Sequence, residues 1–159
     1  MRYRLWVSPG RMTRKKELFK GKKILQHTEH FIVKFNQTDA LGIVWHGNYV
    51  DFFEDGREAF GRAYGISYKH LQDEGYATPI VKMYCEHKKP LRYADEAYII
   101  TTFIDDPAAK MLYHFQIFNA HNELVCIGET TQVFTDLNGN LQLNTPDFFE
   151  NWKIKMGLK

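Results

Sequence analysis

At 159 residues the chain is long enough for one core, and its 44% apolar and 25% charged residues are those of an ordinary globular domain. No apolar run approaches the roughly 18 residues that span a bilayer, and the start MRYRLWVSPGRMTRKK lacks the unbroken apolar stretch of a secretory signal, so no membrane span and a cytoplasmic location are expected. The net charge of +2 hides an asymmetry, because residues 1–23 hold nine basic residues and one acid while the other 136 hold twelve basic and eighteen acidic residues, which argues against a folded nucleic-acid-binding surface.

Taken in chain order, residues 1–27 read as a basic, disordered tail, with a translation start at Met12 as the alternative account of its first residues, and a domain follows over residues 28–159. The tail is expected to be dispensable through residue 23. From Thr28 to Asn36, the alternation of Phe31, Val33 and Phe35 with Ile32, Lys34 and Asn36 predicts a half-buried strand. A polar loop follows, and then the strongest helix signal, NYVDFFEDGREAFGRAYG. There Tyr49, Phe52, Phe53, Gly56, Phe60, Ala63 and Tyr64 make one apolar stripe, with Asn48 as N-cap and Gly65 as the stop. A shorter helix is expected over about Ser67 to Glu74. Strand-like runs then cover Thr78–Lys89, Ala97–Ile104, Lys110–Asn119 and Glu123–Thr135, and Thr145-Pro146-Asp147 opens a last short helix. One strand, a long helix and then consecutive strands give an α+β pattern with an antiparallel sheet. A single helix covers one sheet face, so an edge-to-edge homodimer is an expected solution to the exposed edges.

Chemistry concentrates in Asp39-Ala-Leu-Gly-Ile-Val-Trp-His46-Gly-Asn-Tyr49. A carboxylate lies at a strand exit, a histidine follows seven positions on, and the loop ends where a helix begins. A helix start gathers unpaired N–H groups and the positive end of the dipole, and a base or nucleophile facing such an oxyanion hole is what acyl transfer needs. On the residues alone, Asp39 could equally cap a turn and His46 could face solvent. Cys85 and Cys126 lie far apart in strand-like runs and read as buried thiols in a reducing compartment. His27-x-x-His30 lacks further ligands at useful spacing, so no metal is expected.

This loop resembles the signature of the 4-hydroxybenzoyl-CoA thioesterase-like hotdog family, especially its YbgC-type acyl-CoA thioesterases. The likeness continues through Asp51–Arg57, Thr78-Pro79-Ile80-Val81 and Tyr84–Asp95, and covers about residues 28 to 146. It implies a hotdog fold, an antiparallel sheet of about five or six strands wrapped around one long central helix. It also implies hydrolysis of acyl-CoA to free acid and CoA. Carried over by position, Asp39 matches the catalytic carboxylate, as nucleophile or general base, and His46 matches the catalytic histidine, whose backbone N–H polarises the thioester carbonyl. By the same resemblance Trp45, Gly47, Asn48 and Tyr49 line the substrate site and Thr78 helps shape it. Lys88, Lys89 and Arg92 are candidates for the CoA phosphates. No cofactor is implied beyond the CoA of the substrate, and the implied unit is a homodimer that can pair into a homotetramer.

Two other readings stay in view. Hydration or dehydration of an acyl thioester, in the hotdog enzymes that perform it, uses Asp and His five apart, or His and Glu about fourteen apart. Here Asp39 and His46 are seven apart, and Glu54 and Glu58 follow His46 by eight and twelve. A non-catalytic acyl-thioester-binding protein would have no use for a carboxylate at Asp39.

Overall fold

A computed structural model describes residues 19–159. Its strands are β1 (Ile24–Ile32), β2 (Tyr76–Ala77), β3 (Ile80–His87), β4 (Glu96–Ile104), β5 (Lys110–Asn119), β6 (Leu124–Val133) and β7 (Thr135–Asp136). Its helices are α1 (Asn48–Tyr64), α2 (Tyr68–Asp73) and α3 (Asp147–Lys155). Five strands form one antiparallel sheet in the order β1-β4-β5-β6-β3, and β2 pairs with β7 in a small separate ribbon. The architecture is the α+β arrangement expected, a five-stranded sheet against one long helix.

The register explains which residues face the helix. Ile99 stands opposite Ile117, Thr101 opposite Phe115 and Phe103 opposite Tyr113, so these six share one face, and all are buried. Onto it α1 lays Phe52, Phe53, Ala59 and Phe60 from its apolar stripe. Burying one such phenylalanine contributes about 2–3 kcal/mol. Phe53 stacks on Phe115 with centroids 4.9 Å apart. Helix and sheet meet closely at two glycines. A Cβ at Gly56 would come within 2.7 Å of the Thr101 hydroxyl, and one at Gly128 within 2.4 Å of the Phe53 ring. Past the end of α1, Gly65 takes the left-handed conformation (φ 70°) and its N–H bonds the Gly61 carbonyl. There α3 closes the core, with Phe149 and Trp152 edge-on to Phe103 and the Trp152 indole N–H donating to the Tyr64 carbonyl at 2.7 Å.

Several boundaries differ from expectation for identifiable reasons. The first strand starts at Ile24 and pairs with Ile104, so residues 24–27 belong to the sheet and not to a tail. It ends at Ile32, because Phe35–Gln37 turn as a short 3-10 helix in which the Gln37 side chain accepts the Lys34 N–H; Phe35 is exposed. The expected strand over 78–89 is broken at Pro79, which has no N–H for a ladder, so β3 begins at Ile80. Residues 1–18, which carry most of the expected basic tail, lie outside the described residues. Residues 19–23 touch the body: the Phe19 ring stands edge-on to His114, Lys22 bonds Asp106 at 3.2 Å, and the Lys23 carbonyl accepts the Asp105 N–H. Residues 19–23 are therefore not detached from the body, as an expected disordered tail would be. Among the described residues, no helix is long and apolar enough to cross a membrane.

Candidate active site at the start of the central helix

The loop before α1 is a narrow hairpin. Thr38 and Val44 form an isolated antiparallel bridge, the Asp39 N–H donates to the Ile43 carbonyl at 2.9 Å, and the Gly42 N–H returns to the Asp39 carbonyl at 3.0 Å. Gly42 adopts φ 74°, which a side chain would resist. The Asp39 carboxylate accepts the Leu41 N–H at 2.8 Å through Oδ1, which fixes its orientation, and the residue stays partly exposed. Asp39 thus does cap a turn, and it does so beside the helix start. The Val44 N–H is tied to the Leu91 carbonyl at 2.8 Å, anchoring the returning arm to the sheet end.

The helix start departs from expectation. Gly47, not Asn48, occupies the capping position, and no side chain caps it. Asn48 lies inside the helix and donates its amide to the Gln37 carbonyl at 2.7 Å, pinning the helix to the preceding turn. The Asn48 N–H is taken by the Trp45 carbonyl at 2.9 Å. Among the described residues, the N–H groups of His46 and Gly47 have no acceptor. The Trp45 ring lies across Gly47, where an added Cβ would come within 2.2 Å of it, and 5.0 Å from the His46 ring. Trp45 is 50% exposed, and His46 is exposed.

The other expected site residues separate. Tyr49 is buried, with its ring edge-on to Phe52 and to His87, and burial pushes its hydroxyl up to about 12. Arg92 reaches the loop, with its guanidinium 3.5 Å from the Gly42 carbonyl. Lys88 is paired with Glu86, and Lys89 with Glu123. Thr78 is buried beside Arg57 and bonded by the Gln132 amide at 3.1 Å. Arg57 lies nine residues beyond Asn48, roughly 13 Å along the helix at 1.5 Å per residue, so within one chain Thr78 does not join Asp39.

Sequence reasoning missed one cluster. Cys85 and His87 are two apart on β3 and share a face, and Cys126 on β6 is the register partner of His87. The two sulfurs are 3.6 Å apart, and the Cys85 sulfur is 3.5 Å from His87 Nε2. Sharing a hydrogen bond with Cys85, together with burial, pushes the Cys126 thiol up, while the same contact pulls Cys85 down. Partial burial, aided by the nearby His46 charge, lowers His87. The signal available in the sequence was the i, i+2 spacing of Cys85 and His87 in a strand. By contrast, His27 and His30 are three apart in β1 and point to opposite faces, so they are no ligand pair.

Comparison with known proteins gives the chain's family and fold. The protein named "Putative acyl-CoA thioesterase YneP" of Bacillus subtilis is 29% identical over 120 residues, covering 76% of this chain and 87% of YneP. The acyl-CoA thioester hydrolase YbgC of Escherichia coli is 32% identical over 104 residues, covering 65% of this chain and 78% of YbgC. The solved structure of the DHNA-CoA thioesterase from Staphylococcus aureus superposes with a TM-score of 0.74 at 23% identity, covering 84% of this chain and 92% of that one, which identifies the hotdog fold. Residues 33–153 match the family model of the thioesterase-like superfamily, and the chain belongs to that superfamily.

Proposed function

We propose that this chain hydrolyses acyl-CoA thioesters to the free acid and CoA. The observation that carries the reading is the pairing, in one short loop, of the oriented Asp39 carboxylate with the unclaimed N–H groups of His46 and Gly47 at the start of α1. Those N–H groups would donate to the thioester oxygen as negative charge develops on it, with the helix dipole adding to the same field. Asp39 would attack the carbonyl carbon or take a proton from a water that does. Either route breaks the C–S bond; water supplies the second oxygen of the acid, and the proton it gives up ends on the departing CoA sulfur. Nothing in this scheme needs a cofactor. His46, exposed beside Trp45, would assist proton transfer, and the half-exposed Trp45 ring offers an apolar wall for an acyl or aryl group. Arg92, at the loop and without a carboxylate partner among the described residues, is the better candidate for CoA phosphate than Lys88 or Lys89, which already have acidic partners.

The working unit in this reading is a two-fold dimer joined through the free edge of β3, able to pair into a tetramer. Strand β3 ends the sheet, and its Val81 and Met83 are exposed. Such a dimer would bring Thr78 of one copy toward the Asp39 loop of the other. The reduced thiols suit a reducing compartment such as the cytoplasm.

The test is release of free thiol from a panel of aroyl- and acyl-CoA substrates by the wild type and by Asp39→Asn. Turnover that Asp39→Asn abolishes supports the reading, and an unaffected rate overturns it. Light scattering at assay concentration tests the dimer, which an active monomer would rule out.

A further inference from the structure

We infer that Cys85, His87 and Cys126 form a binding site for a soft divalent metal ion of the Zn²⁺ type, one ion per chain. Their ligand atoms all lie within 4.8 Å of one another. The Cys85 sulfur stands 3.6 Å from that of Cys126 and 3.5 Å from His87 Nε2. A tetrahedral zinc with bonds of about 2.3 Å to sulfur and about 2.0 Å to nitrogen has ligand–ligand edges of roughly 3.5–3.8 Å. Two edges of that tetrahedron are therefore in place before any ion arrives.

The ligands stand on a rigid frame. Cys126 and His87 are register partners across β6 and β3, and Cys85 is two residues back on the same face. Just beyond His87, the N–H groups of Lys88 and Lys89 both donate to the Val125 carbonyl, fixing the end of the strand. The Tyr49 ring, edge-on at 4.7 Å, limits rotation of the imidazole. Within one chain Cys126 is buried, Cys85 partly exposed and His87 exposed, so the cluster meets solvent on its His87 side.

The donor set selects the ion. Two thiols and an imidazole favour zinc and its soft neighbours over magnesium or calcium, which seek oxygen. On binding, each thiol gives up a proton to solvent. Two thiolates then offset the double positive charge, so the occupied site is neutral and compatible with its buried side. Three protein ligands leave one tetrahedral position for water. The cluster borders the helix start, where His87 packs on Tyr49 and lies near His46, but none of its three ligands has a role in the proposed hydrolysis, so it does not depend on that reading being right.

Cobalt(II) is the probe. Full-length protein, kept anaerobic with a phosphine reductant and stripped with EDTA, is titrated with Co²⁺ and then with Zn²⁺. Cys85 and Cys126 are the chain's only cysteines, so a thiolate-to-cobalt charge-transfer band reports this pair. The expected result is that band together with the intense visible bands of tetrahedral cobalt, saturating at one equivalent and bleached by zinc. Cys85→Ser and Cys126→Ser should each weaken binding by about 100-fold or more, and His87→Ala by at least about 10-fold, taking loss of a direct ligand as no milder than loss of its supporting groups. His87 is exposed, so His87→Ala tests the site even if a cysteine variant folds poorly. No charge-transfer band at a stoichiometric excess of cobalt, or binding unchanged in folded His87→Ala, would overturn the proposal.

Discussion

The two ends of α1 are built to opposite rules. At its C-terminal end the chain is closed: Gly65 satisfies a carbonyl, Trp152 satisfies another, and Phe60, Phe103, Phe149 and Trp152 interlock with no ring left outside. At its N-terminal end no side chain caps the helix, two N–H groups have no acceptor among the described residues, and Trp45 and His46 stand out in solvent. A buried helix end without partners would cost about 1–3 kcal/mol per group, but an exposed one costs little and stays available to a ligand. The sealed end supplies the stability that lets the open end remain uncapped.

That contrast can be broken at either end. The largest effect is expected at the open end, where Asp39→Asn should lower kcat by 10²–10⁴-fold or more while leaving the melting temperature nearly unchanged, because asparagine keeps the oxygen that accepts the Leu41 N–H. Steady-state kinetics beside a thermal melt checks both halves. Next, Phe149→Ala at the sealed end should cost about 3–5 kcal/mol in urea unfolding, with KM of the folded fraction little changed. If it altered KM strongly, the two ends would be coupled.

Gly47→Ala sharpens the comparison. Its methyl would collide with the Trp45 ring and push it from the helix start, so a drop in kcat/KM of about 10-fold is expected with under about 1 kcal/mol lost in stability. The smallest effect is a pH dependence near the sealed end. Burial raises the Asp106 carboxyl, but the Ala108 N–H, Lys22 and Lys110 outweigh it and hold it below its ordinary value. A carboxyl lowered by folding stabilises above its unfolded value, near pH 4, and that contribution is lost as pH falls through the folded value. Asp106→Asn should therefore flatten the acid limb of stability against pH, by under about 1 kcal/mol for partly exposed ion pairs.

Most of this was readable from the residues, and the failures share a cause. The α1 stripe and strands β4 to β6 carry periodicities that burial enforces, so their limits were nearly right. Strand β1 was misplaced because its helix-facing row includes His27 and Glu29, which break the apolar alternation, and pairing with β4 decides its extent. Asn48 looked like a cap because asparagine caps helices in isolation, but the Gln37 carbonyl captured its amide. At the site, the Asp39-to-Tyr49 block was legible as a motif, whereas the separation of Arg92 from Lys88 and Lys89 depended on which acids the fold brings near. The gathering of Cys85 with Cys126, 41 residues apart, is a property of strand order and was visible nowhere in the linear text.

The Trp45 ring also makes the open end visible to light. Among the described residues there are two tryptophans, Trp45 half in water and Trp152 sealed against Phe149. A collisional quencher should therefore extinguish the first and spare the second. With Trp6 replaced by phenylalanine, a substrate analogue seated at the helix start would shield Trp45 and restore its emission. The protein thus carries an intrinsic optical reporter for occupancy, placed where ligands would arrive and insulated from its core.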